Sequence, residues 1–88
     1  ELYRIICYKR AHGGEKSYTH YLFMSGQDKI LSKLGEETTS TVIASKNGSK
    51  TAVLDEMGSL WYHCLVLLAY HNINPAELLA TMDGKRAK

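Results

Sequence analysis

The chain has few of the residues that staple a small domain or carry one into a membrane. Among its 88 residues only two are cysteines and one is proline. Cys7 and Cys64 do not have metal-ligand spacing and both sit among apolar neighbours, so both are expected to be buried free thiols, which suits a reducing compartment. No stretch supplies the roughly 18 consecutive apolar residues of a membrane span. The N-terminus does not have the charged-then-apolar order of a secretory signal. No Met stands at position 1, so residues before Glu1 are expected. These absences point to a cytoplasmic protein with no membrane partner. The net charge of +2 is small, and the lysines are interleaved with acids. That is unlike the one-sided basic surface of a nucleic-acid binder. Ser-His-Asp spacing, a phosphate loop and a dinucleotide fingerprint are all missing. Strand signals and internal repeats are nearly or wholly absent.

What remains is helix. Leu2, Ile5, Ile6 and Cys7 suggest a short first helix, stopped at His12-Gly13-Gly14. Ser17 reads as the N-cap of a segment from Tyr18 to Met24, which Ser25-Gly26 interrupts. A long helix from Gln27 to about Lys46 takes its apolar face from Ile30, Leu31, Leu34, Thr38, Thr41, Val42 and Ala44. Gly35, inside it, costs about 1 kcal/mol relative to alanine. That suggests either close backbone approach, as by a ligand, or a helix junction. Asn47-Gly48 closes this helix, and Ser49 caps the next, from Lys50 to Tyr70. Asn74-Pro75 opens a last helix to about Met82, and residues 82–88 read as a frayed tail. The expectation is one all-α domain over residues 1–88, an antiparallel helix bundle. A domain of this size buries only roughly 60% of its unfolded surface, and the stretch Leu60–Ala69 is apolar nearly all round. Three short helices cannot cover such a surface, so the bundle is expected to be completed by homodimerisation.

Two groups of side chains could carry chemistry. Glu36-Glu37 and Asp55-Glu56 lie on the two long helices, which a short turn makes antiparallel. Counting from the turn, Glu37 and Glu56 differ in level by roughly 3 Å, so the acids can face one another. Acids gathered in this way repel unless a cation sits between them, and hard oxygen ligands favour Mg²⁺ or Mn²⁺ over zinc. A solvated acidic face explains them as well. Lys29 and Lys33 share a helix face one to two turns before Glu36. They suit a polyphosphate bridged to the cation, or simply solubility. His63 reads as a hydrogen-bonded core residue. Tyr18 and Tyr21 fit base stacking or ordinary packing.

The order Ser17-Tyr18-Thr19, Leu22-Phe23, Gly26, Asp28-Lys29-Ile30, Lys33, Gly35-Glu36-Glu37 resembles the phosphoribosyl-ATP pyrophosphohydrolase family. So do Val42-Ile43-Ala44, Lys46-Asn47-Gly48, Glu56, Leu60, Tyr62-His63 and the run Leu65–Ala69, and the resemblance extends from about Leu2 to Leu79. It implies an all-α nucleotide pyrophosphohydrolase, a tight homodimer that uses Mg²⁺. Its reaction converts phosphoribosyl-ATP to phosphoribosyl-AMP and pyrophosphate, the second step of histidine biosynthesis. Glu37 and Glu56 are then the catalytic acids, Glu36, Glu37 and Glu56 the metal ligands, and Lys29, Lys33 and Lys46 the phosphate-binding residues.

The sequence departs from the family pattern at two acids. The third acid of the Glu-Glu-x-x-Glu motif falls on Ser40, and the closing acid of the Glu-x-x-Asp motif falls on Ser59. Two formal negative charges are lost from one site. The alternative to an active hydrolase is therefore a weakened or inactive relative that acts as a nucleotide-binding or interaction module.

Overall fold

The computed structural model describes residues 1–14 and 16–86. They form α1 (Leu2–His12), α2 (Tyr18–Ser25), α3 (Gln27–Asn47), α4 (Lys50–Tyr70) and α5 (Pro75–Arg86), with no strand among the described residues. Local chemistry sets the boundaries. The Ser17 hydroxyl accepts from the His20 amide at 3.1 Å, and the Ser49 hydroxyl from the Ala52 amide at 3.2 Å. Gly48, at φ 73°, takes the left-handed position that ends α3. At α5, Asn74 Oδ1 accepts from the Ala76 amide at 2.9 Å, and the Glu77 carboxylate accepts from the Asn74 amide at 3.0 Å. This reciprocal pair is a capping box. α5 runs to Arg86 rather than stopping near Met82; the rest of the expected tail, residues 87–88, lies outside the described residues.

α3 and α4 pack as an antiparallel hairpin, and α1 and α2 close over one end of it. Ile6, Leu22, Ile30, Leu65, Val66 and Ala69 make the core, one or more from each of the first four helices. Arg10 ties three elements together. Its Nη1 donates to the Ala69 carbonyl at 2.8 Å and to Asn72 Oδ1 at 3.3 Å, and its guanidinium lies 4.9 Å from the Phe23 ring centroid. A cation at the carbonyl end of α4 also opposes the helix dipole. Arg10→Met, which keeps the apolar stem, is expected to cost about 1–3 kcal/mol. Thermal unfolding followed by circular dichroism should show the midpoint falling by several degrees.

Several sequence expectations change here. Cys7 is exposed and Cys64 only half-buried, though both are free thiols. The face of α3 turned to α4 is Ile30, Leu34, Glu37, Thr41 and Ala44, whereas Leu31, Thr38 and Val42 are exposed. Among the described residues, nothing beyond the adjoining stretch of α3 comes within 4 Å of a Cβ built on Gly35, and α3 is continuous through it. Neither an intrachain approach nor a helix junction therefore accounts for that glycine. The apolar second half of α4 is largely covered by its own chain: His63, Leu65, Val66 and Ala69 are buried. The uncovered large apolar residues of α4 are Leu54 and Met57, which lie earlier, and Trp61 near the start of that stretch. By length and composition alone, α4 is apolar enough to cross a membrane. Its polar residues break every long apolar run without bringing the average below that threshold.

Candidate active site

The α3–α4 seam decides which acids meet. Along α4, Ala52, Glu56, Ser59, His63 and Val66 recur at alternating steps of four and three and are partly or fully buried. Glu56, Ser59 and His63 thus share the stripe that faces α3, and Asp55 turns out to solvent. Along α3, Glu37 lies in the seam and Ser40 at its flank, both partly buried.

The observed helix ends refine the levels. Glu37 stands ten residues before the end of α3 and Glu56 six after the start of α4. At 1.5 Å per residue they are offset by about 6 Å, one turn rather than the 3 Å expected. The same count puts Ser59 within about 2 Å of the level of Glu37, and Ser40 within about 2 Å of that of Glu56. Each remaining acid is therefore level with a serine on the opposite helix.

Glu36 is turned about 100° from Glu37 around the helix. Its side chain is 60% exposed, and its Oε2 lies 3.7 Å from Lys33 Nζ. A pair this exposed contributes little to stability. Among the described residues, no three His, Cys, Asp or Glu side chains converge as a group able to hold a metal. Lys29 lies one turn before Lys33, on the same flank, and both are partly buried. Lys46 does not join them within one chain. It is exposed in the last turn of α3, about 20 Å along the axis from Lys33.

One turn beyond Ser59, His63 anchors a polar chain that sequence reasoning missed. Its Nδ1–H donates to the Ser59 carbonyl at 2.7 Å, and its Nε2 is 2.9 Å from the Tyr18 hydroxyl. His63 is only 4% exposed, so its reading as a hydrogen-bonded core residue holds. Beside it the hydroxyls of Thr19 and Tyr62 are hydrogen-bonded. The Tyr18 ring lies edge-on to His63, with 5.8 Å between centroids, and 6.2 Å from the Tyr21 ring. Both tyrosines are more than two-fifths exposed. The only sequence signal for this arrangement was the Tyr18-Thr19 and Tyr62-His63 adjacency.

Partial burial, and then the proximity of Tyr62, Glu37 and Glu36, raises the Tyr18 hydroxyl above its ordinary value of about 10. A group that holds its proton more tightly when folded stabilises the fold fully below about pH 10 and loses that contribution as pH rises through the raised value. The urea midpoint of the native chain should therefore fall more steeply above about pH 10 than that of Tyr18→Phe. Burial likewise raises the Cys64 thiol, which favours its protonated form.

Comparison with known proteins places the chain in one family. Residues 1–86 match the family model described as phosphoribosyl-ATP pyrophosphohydrolase. A phosphoribosyl-ATP pyrophosphatase of Pelotomaculum thermopropionicum is 47% identical over 88 residues, covering 100% of this chain and 90% of its own. Its counterpart in Geotalea daltonii is 48% identical over 77 residues, 88% of this chain and 73% of its own. That of Bacillus thuringiensis is 42% identical over 87 residues, 99% and 81% respectively.

Proposed function

The chain belongs to the phosphoribosyl-ATP pyrophosphohydrolase family, and from that premise we propose that it hydrolyses phosphoribosyl-ATP to phosphoribosyl-AMP and pyrophosphate in histidine biosynthesis, in the cytoplasm. The observation that carries the reading is the seam itself. Glu37 and Glu56 are both partly buried, one turn apart on facing helices, with Lys29 and Lys33 on the α3 flank. Glu37 orients the attacking water and accepts a proton from it. The water oxygen bonds to the α-phosphorus as the α–β phosphoanhydride bond breaks, and the electron pair leaves with pyrophosphate. Lys29 and Lys33 offset the charge that develops on that leaving group. Lys46 joins them only if it is supplied from another chain.

Mg²⁺ suits the donor set, which is hard oxygen throughout. It is bound elsewhere by one or two carboxylates together with substrate phosphates and waters. Glu37 and Glu56 would hold it, with Glu36 contributing only by leaving Lys33, and the Ser40 and Ser59 hydroxyls beside them. Bound there, Mg²⁺ would polarise the phosphoryl oxygens as a Lewis acid.

A homodimer covers the surface that one chain leaves open. Leu54, Met57 and Trp61 of α4 and Leu31 and Val42 of α3 are exposed, Trp61 by 47%. A monomeric mass in solution at micromolar concentration would contradict this.

A second reading, a weakened relative that binds nucleotide, rests on Ser40 and Ser59, since each seam level keeps a single acid. Steady-state release of pyrophosphate from phosphoribosyl-ATP, with and without Mg²⁺, separates the two. Metal-dependent turnover supports the hydrolase. Binding without turnover supports the second reading.

A further inference from the structure

The hydrogen-bond chain Ser59 carbonyl–His63–Tyr18 leads from the acid seam to an accessible ring. The carbonyl can only accept, so His63 Nδ1 carries the proton it receives. In the neutral ring Nε2 is then left with a lone pair, and the Tyr18 hydroxyl, 2.9 Å away, must donate to it. With that proton committed, the Tyr18 oxygen has only acceptor capacity left for anything that approaches from solvent. Glu37 and Glu36 are near enough to act on its hydroxyl, so the surroundings carry negative charge. A phosphate oxygen has no place against it; a hydroxyl donor does.

Distance selects among the donors of a nucleotide. His63 is four residues from Ser59, about 6 Å along α4, and Ser59 is level with Glu37. Tyr18, bonded to His63, is thus about one helical turn from the level of Glu37, and the part of a nucleotide next to phosphates handled at Glu37 is the sugar attached to them. We propose that Tyr18 is a specificity-determining residue that accepts a hydrogen bond from a hydroxyl of the nucleotide's phosphate-linked ribose, and that His63 is the positioning residue that makes Tyr18 an obligate acceptor. This rests on the hydrolase reading for the place of the phosphates but is tested independently of turnover.

The test is calorimetric binding, in Mg²⁺, of ATP, 2′-deoxy-ATP and 3′-deoxy-ATP to the full chain and its variants. The native chain should bind ATP about 3- to 10-fold more tightly than one of the deoxy forms, the worth of one hydrogen bond. Tyr18→Phe should abolish that preference by weakening ATP and the deoxy form that keeps the bonded hydroxyl, and not the deoxy form that lacks it. His63→Gln, whose side-chain oxygen can accept the Tyr18 proton, should keep the preference, and His63→Leu should lose it. The Tyr18 hydroxyl proton should be protected from exchange by NMR in the native chain and in His63→Gln. It should not be protected in His63→Leu, whose dispersed amide signals in the same spectra show that the variant remains folded.

If the native chain does turn over phosphoribosyl-ATP, Tyr18→Phe should raise KM with little change in kcat. Equal weakening of all three nucleotides by Tyr18→Phe would overturn the proposal, because the donor would then be a cation-bound water or a base amine. Absence of pyrophosphate release with the ribose preference intact would sink the hydrolase reading and leave this one standing.

Discussion

Glu37→Gln is expected to lower kcat for pyrophosphate release by about 10²–10⁴-fold, the usual worth of a positioned general base. The change keeps size and hydrogen-bonding capacity, so a loss of rate reports the lost charge and proton acceptor rather than a collapsed seam. Neither Ser59 nor Glu36 can substitute. Ser59, level with it on α4, is a hydroxyl with no basic character at neutral pH. Glu36 points out of the seam beside Lys33. Asp55→Asn is the matched control, because Asp55 is exposed on the far side of Glu56, and it should leave the rate nearly unchanged. Equal losses in Glu37→Gln and Asp55→Asn, measured by steady-state assay, would show that the acids act as a general electrostatic field and that the seam is not the site.

Ser40→Glu combined with Ser59→Asp is expected to raise kcat by about 10²-fold, the lower end of what a water-orienting acid supplies, and by more than the product of the single changes. Ser59 is level with Glu37, and Ser40 with Glu56, so each change turns an acid–serine level into a pair of carboxylates. One added acid strengthens one level, while two complete a four-acid cluster around a shared cation. Groups that serve one cluster couple rather than add. The same change should lower stability without Mg²⁺, because like charges gathered in a partly buried seam repel. Mg²⁺ should restore it by binding the folded form alone. Thermal midpoints with and without the ion test this. A double variant unmoved in both rate and Mg²⁺-dependent stability would place the site elsewhere.

The features legible in advance were those that short stretches of chain decide. Ser17, Ser49 and Asn74 cap the helices they were expected to cap, because a cap is a bond between a side chain and an amide two or three residues on. Gly48 closes α3 because its backbone is left-handed there. The facing of Glu37 and Glu56 followed from helix period and a short turn. Its error, 3 Å against about 6 Å, came from where the turn was centred, since each residue of uncertainty shifts the level by 1.5 Å.

The exposure of Cys7, the outward turn of Leu31 and Val42, and the coverage of the late part of α4 were not legible. In each case an apolar residue had a choice of neighbours. Periodicity marks a face as apolar but does not say whether this chain or another covers it. The chain of bonds through His63 was equally hidden, because it joins residues 45 positions apart. By itself, then, the sequence determined the helices, their order and the two stripes of acids, all consequences of bonds and spacings within a few residues. Only the tertiary structure decided which serine on the facing helix each acid is level with and which tyrosine reaches the seam. Those depend on how two helices rotate against each other to bury Ile30, Leu65 and Val66, a balance summed over the whole core.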